Sequence, residues 1–112
     1  DLLTRQRVPS FLSVLKDFGA EGDGLLSFPK PGMSISLDLP VRSNTAEVVA
    51  RLDDCVIAAG GRIYLAKDAF TTAERFRAME PRLDAWRRIR RQWDPEGRLA
   101  SAQSIRILGD ES

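Results

Sequence analysis

The chain has 112 residues, 43% of them hydrophobic and 29% charged, with a formal net charge of +1, which suits one soluble domain with one modest core and gives no electrostatic ground for binding nucleic acid or an anionic membrane. It has no histidine, which removes the commonest general base, the commonest metal ligand and any Ser/His or Cys/His nucleophile pair. A single cysteine excludes an internal disulfide and fits a reducing compartment.

In chain order, residues 1–8 are polar and basic and read as a linker or the tail of a preceding element. After Pro9, the run Ser10 to Phe18 reads as a strand ended by Gly19. Its two-residue period puts Leu12, Val14 and Lys16 on one face and Phe11, Ser13 and Leu15 on the other. A glycine- and acid-rich loop follows, then Leu25-Leu26-Ser27-Phe28 and the turn signal Pro29-Lys30-Pro31-Gly32. Met33 to Leu39 alternates cleanly, with Met33, Ile35, Leu37 and Leu39 expected on the core and Ser34, Ser36 and Asp38 on a polar face.

Asn44 with Glu47 has a capping-box pattern, and Val48, Leu52, Cys55 and Ala59 form one apolar helical stripe. On that stripe Cys55 reads as a small buried hydrophobe. Gly60 and Gly61 end the helix, and Arg62 to Ala66 reads as a third strand with Lys67 at its exit. Thr71 with Glu74 predicts a second capping box opening a helix through Met79. Pro81 then starts another helix, with Leu83, Trp86, Ile89 and Trp93 on its inner face and Asp94-Pro95-Glu96-Gly97 as its stop. The tail from Arg98 reads as irregular, with an apolar anchor at Ile105, Ile107 and Leu108.

Arg87, Arg88, Arg90 and Arg91 form a basic run, but Asp84, Asp94 and Glu96 interleave and both tryptophans fall on the apolar stripe. A solvated helix face therefore outweighs an RNA-binding reading. No phosphate-binding glycine loop and no acidic cluster with metal-ligand spacing is found. No apolar run approaches the roughly 20 residues that span a bilayer, and no signal-peptide pattern opens the chain, so the expected location is cytoplasmic or membrane-peripheral. The chain opens on Asp1, and the expectation is a piece of a longer polypeptide. Pattern alone gives a small α+β domain in the order β, β, α, β, α, α.

Several segments in series resemble the C-terminal end of the FAD-linked oxidases of the vanillyl-alcohol-oxidase-like family, most closely its decaprenylphosphoryl-ribose-oxidase-like branch. They are Pro9 to Lys16, Leu25 to Gly32, Ser36 to Pro40, Ala59 to Asp68, Phe76 to Met79, Pro81 to Asp84 and Asp94 to Arg98. More distant sugar-alcohol and aldonolactone oxidases have a similar Arg-x-x-x-x-Lys ending, matched by Arg62 and Lys67.

The resemblance implies that residues 1–112 are the last part of a substrate (cap) domain, an antiparallel sheet with helices packed on one face, ferredoxin-like in part. The FAD-binding domain would be absent from this chain, which alone would be inactive. The whole enzyme would oxidise a sugar or polyol alcohol to a ketone or lactone, with FAD as cofactor and a sugar or lipid-linked sugar as substrate. Lys67 matches the active-site lysine, Tyr64 a residue near the flavin ring, and Leu12, Val14, Lys16, Ser34 and Ser36 positions lining the substrate pocket. Some relatives have cysteine where this chain has Ser36, and asparagine where it has Ser34, so thiol chemistry at Ser36 is excluded. The partner would be the FAD-binding domain of the same protein, with no nucleic acid. An excised piece would expose an apolar patch around Leu12, Val14 and Tyr64, or mask it by self-association. The competing reading is a free-standing ferredoxin-like module that binds a small ligand or regulates, without redox chemistry.

Overall fold

The computed structural model describes residues 2–5 and 7–110. The elements run α1 (Leu2–Arg5), β1 (Ser13–Phe18), β2 (Gly32–Leu37), α2 (Thr45–Ala58), a 3₁₀ turn (Leu65–Lys67), α3 (Ala73–Met79), α4 (Leu83–Trp93) and α5 (Ala102–Leu108). The class is α+β, as expected. Residues 1–8, expected as a linker or the tail of a preceding element, contain α1 and the buried Val8, which speaks against the linker; positions 1 and 6 lie outside the described residues.

β1 and β2 pair antiparallel, with Ser13 opposite Leu37, Val14 opposite Ser36, Leu15 opposite Ile35 and Lys16 opposite Ser34. Two bonds of 3.0 Å, from Phe11 N to the Asp38 carbonyl and from Asp38 N to the Leu12 carbonyl, carry the pairing one step further. The expected core face of β2 is corrected here. Met33 is 67% exposed and Ile35 63%, beside Leu15 at 63%, while Ser34 and Ser36 are half-buried. Alternation fixes which residues share a face. Which face is covered depends on what packs there, and the helices gather around a separate core.

That core is Phe76, Leu83 and Ile107, with Leu26, Ile63, Leu65, Trp86 and Leu108 packed against it. α2 approaches it through α3. Its buried positions are Thr45, Val48 and Asp53, so the stripe is rotated from the expected one, and Cys55 and Ala59 face solvent. Asn44 is the N-cap by position, but its side chain makes no capping bond. The Thr45 hydroxyl braces the entry instead, accepting from Arg42 N at 2.7 Å and donating to the Pro40 carbonyl at 3.0 Å.

The helix ends in a Schellman motif: Gly60 N donates to the Ile57 carbonyl (2.9 Å) and Gly61 N to the Val56 carbonyl (2.8 Å). Gly60 supplies the φ of +64°. Gly61 supplies the space, since a Cβ there would lie 2.9 Å from Val56 Cγ1 and 3.2 Å from the Val56 carbonyl oxygen.

The third expected strand does not form. Residues 61–64 are irregular and lead into the 3₁₀ turn. The second expected cap is shifted by one residue. Thr72 is the N-cap of α3, and Thr71 is buried, donating from its hydroxyl to Asp53 Oδ2 at 2.5 Å. On α4 the stripe fades towards the C-terminus as the helix runs past the core: Leu83 is buried, Trp86 half-buried, and Ile89 and Trp93 exposed, which corrects the core assignment of Trp93.

The tail is not irregular. Ser101 and Ser104 form a reciprocal capping box that opens α5, and Gly109 closes it at φ +78°. Residues 111–112 of that tail lie outside the described residues. Arg77, Arg90, Arg91 and Arg106 all lie in last turns of helices, where a cation complements the partial negative charge of the helix end. Within the basic run, Arg87 donates to the Leu108 carbonyl at 2.9 Å, and Arg90 pairs with Asp110 at 2.7 Å while lying over the Trp86 ring. Arg88 and Arg91 are exposed. Half of the run thus staples α5 to α4 and half forms the solvated face.

Candidate functional site

Cross-strand partners in an antiparallel pair project to the same side. The observed register therefore places Val14, Lys16, Ser34 and Ser36 on one face, with Leu12 one step further along it. These are the residues read from the two strands separately, and the pairing gathers them into one surface. Val14, Ser34 and Ser36 are half-buried and Leu12 and Lys16 exposed. The Lys16 ammonium and both serine hydroxyls make no hydrogen bond or ion pair among the described residues, so a polar ligand on this face meets unoccupied donors and acceptors.

Phe18 ends the same face. Its ring packs edge-on against Phe28 (5.6 Å between centroids), and Phe28 packs at 5.2 Å against Tyr64. This aromatic chain brings Tyr64, distant in sequence, to the end of the sheet. Tyr64 remains 51% exposed, so much of its surface is free. The Lys30 ammonium donates to the Gly60 carbonyl at 2.7 Å, tying the loop that carries Phe28 to the end of α2.

Lys67 lies at the other end of the turn that Tyr64 opens, with its backbone N donating to the Tyr64 carbonyl at 2.9 Å. The expected strand exit is thus a 3₁₀ turn. The Lys67 side chain is exposed and makes no hydrogen bond or ion pair among the described residues. Tyr64 and Lys67 share a turn, and Tyr64 joins that turn to the sheet face.

Arg62 has a different role from Lys67. Its side chain is largely covered. It pairs with Glu21, lies 3.7 Å from Glu80, and donates to the Ser27 carbonyl at 3.1 Å. Arg82 completes the cluster with bonds to Glu80 (2.8 Å), Glu21 (2.6 Å) and the Ser27 carbonyl (2.9 Å). Two guanidinium groups thus face two carboxylates and hold the loop before Phe28 against the Gly61–Arg62 segment. Burial alone would raise the Glu80 carboxyl; the hydrogen bonds from Arg82 and the charges of Arg62 and Arg82 outweigh it and hold Glu80 below the ordinary carboxylate range. Glu21 is lowered chiefly by its bond from Arg62.

Sequence reasoning missed this cluster, because Glu21, Arg62, Glu80 and Arg82 are scattered along the chain. It also missed α5, although Ser101 before helix-forming residues and Gly109 after them is a start-and-stop signal that can be read without a structure.

The model of the D-arabinono-1,4-lactone oxidase family matches residues 34–107. The chain belongs to this family. The matched stretch holds Ser34, Ser36, Tyr64, Lys67 and nearly all of α5. The chain is 49% identical over 98 residues to a protein named decaprenylphosphoryl-beta-D-ribose oxidase from Mycolicibacterium smegmatis, covering 88% of this chain and 21% of that one. It is 40% identical over 95 residues to an uncharacterised Streptomyces coelicolor protein in the mprA 5' region, covering 84% of this chain and 26% of that one. The chain therefore spans about a fifth to a quarter of the length of these relatives. The helices it does contain are none of them long and apolar enough to cross a membrane among the described residues.

Proposed function

We propose that this chain is the C-terminal part of the substrate domain of an FAD-dependent oxidoreductase that oxidises an alcohol carbon of a sugar or polyol to a ketone or lactone. A lipid-linked sugar is the leading substrate class, since the name of the Mycolicibacterium smegmatis relative specifies one. The observation that carries the reading is the single face holding Leu12, Val14, Lys16, Ser34 and Ser36, joined by Phe18 and Phe28 to the turn of Tyr64 and Lys67. The exposed Tyr64 ring, backed by Phe28, fits the flank of a planar aromatic cofactor.

Bound flavin supplies the two-electron acceptor. This chain binds and orients the substrate. Ser34, Ser36 and Lys16 hydrogen-bond sugar hydroxyls, while Leu12 and Val14 take the apolar edge. The Lys67 ammonium donates to the oxygen of the reacting carbon and stabilises negative charge as it develops there. In a site closed by the rest of the polypeptide such a donor contributes a few kcal/mol. The FAD-binding domain of the same protein is then the principal partner, and the isolated chain is inactive.

The test is Lys67→Ala in the full-length flavoprotein. The reading expects kcat to fall about 100- to 1000-fold, with the visible flavin spectrum unchanged. Turnover equal to wild type, or a parent protein that is colourless, would sink it.

A further inference from the structure

We infer that Gln103 and Arg106 of α5 are positioning residues for Lys67: together they fix the turn that carries it, and Arg106 also occupies the carboxylate beside it. The inference rests on the role proposed for Lys67.

One 3₁₀ turn is a weak platform. Its own bonds are Lys67 N to the Tyr64 carbonyl at 2.9 Å and a long one of 3.4 Å from Asp68 N to the Leu65 carbonyl. Such short turns have poor hydrogen-bond geometry and do not persist unsupported. α5 braces this one on both sides of Lys67. Before it, Gln103 Nε2 donates to the Leu65 carbonyl at 2.6 Å. After it, Arg106 donates to Asp68 Oδ2 at 2.8 Å and, through its other terminal nitrogen, to the Thr71 carbonyl.

The same arrangement decides what Asp68 can do. Its Oδ1 accepts from Phe70 N (3.2 Å) and Thr71 N (2.9 Å), and its Oδ2 is held by Arg106. A carboxylate directly after a lysine is a ready partner for it. Here that carboxylate is engaged by three other donors, which leaves the Lys67 ammonium free for a substrate oxygen.

The brace is itself anchored. Ile107, only 1% exposed, sits in the core, and the end of α5 is held by Arg87 at the Leu108 carbonyl and by Arg90 at Asp110. Gln103 and Arg106 are three residues apart, one above the other on the helix surface. Ile107 already secures α5 to the core, so what the bonds from Gln103 and Arg106 add falls on the Lys67 turn.

The test uses the full-length flavoprotein with Arg106→Gln, Arg106→Lys and Gln103→Ala, and Lys67→Ala alongside. The first readout is amide hydrogen exchange at Lys67, Asp68, Phe70 and Thr71, with the core segment 76–86 as internal control. We expect exchange on the order of 10-fold faster at those amides in Arg106→Gln and Gln103→Ala, with the control unchanged. The second readout is steady-state kinetics. We expect kcat to fall about 10- to 100-fold with KM near wild type, because a small displacement of Lys67 acts on the reacting geometry. Arg106→Lys should recover part of the loss, since an ammonium reaches one of the two acceptors that a guanidinium spans.

Unchanged exchange at the four amides in both variants would overturn the inference. So would wild-type kcat in Arg106→Gln when its amides have loosened and Lys67→Ala is inactive. If Lys67→Ala itself turns over normally, the proposed function fails instead, and exchange alone decides whether α5 holds the turn.

Discussion

Replacing Glu80 by Gln tests the cluster that holds the loop before Phe28 against the Gly61–Arg62 segment. In the wild type, Arg62 and Arg82 face Glu21 and Glu80, two charges against two. Glu80 is only 4% exposed and takes both Arg82 Nε and one terminal nitrogen at 2.8 Å. Gln keeps the size and one acceptor, but leaves one uncompensated guanidinium in a largely covered site. Breaking a fully buried pair costs about 3–5 kcal/mol. Glu21 and Arg82 are partly exposed, so water offsets some of this and the expected loss is about 2–3 kcal/mol. In a domain of this size that lowers the melting temperature by roughly 8–15 °C, measurable by circular dichroism.

The pH dependence is a second, independent check on the same variant. Glu80 is lowered from an ordinary value of 4.5. Its stabilisation is complete above that value and is lost as pH falls through the lower folded value. The gap between wild type and Glu80→Gln should therefore close on the acid side of 4.5. A gap under about 0.5 kcal/mol at neutral pH, or one that stays constant down to about pH 3, would refute the reasoning.

Asp53 behaves in the opposite sense. Burial raises its carboxyl, against the lowering bond from Thr71, so the wild type loses stability as pH rises through the raised value. Asp53→Asn keeps an acceptor for the Thr71 hydroxyl, and melting scans should show the two proteins equal in acid and the variant more stable at alkaline pH. Gly61→Ala drives a Cβ against Val56 and should cost about 1–3 kcal/mol in denaturant titration, whereas Gly24→Ala, in open space, should stay within about 0.5 kcal/mol. The isolated chain, with Phe11, Leu15, Met33 and Ile35 bare on one sheet face, should self-associate in light scattering, and Ile35→Lys should restore a monomer.

The sequence by itself determined the local grammar of this protein. The glycine pair after α2, the Asp-Pro-Glu-Gly stop and the parity of both strands need only neighbours along the chain, and the structure keeps them; the turn expected at Pro-Lys-Pro-Gly is instead irregular chain with a bend at Pro31 that leads into β2 at Gly32. Parity sufficed to separate Leu12, Val14 and Lys16 from Phe11, Ser13 and Leu15, and Ser34 and Ser36 from Met33 and Ile35. Only the tertiary structure decided the rest. The strand expected at Arg62–Ala66 had no partner to bond to, so it became irregular chain and a turn. Thr71 went inward to Asp53 because α2 and α3 pack, and the cap passed to Thr72. The sheet's apolar face lies open because covering it is a matter of what arrives from elsewhere. The brace on Lys67 comes from residues more than thirty positions downstream, whose contacts leave no trace in local spacing. Periodicity records which side chains share a surface; the energy that selects the buried surface, and that fixes one lysine in place, comes from groups that only folding brings together.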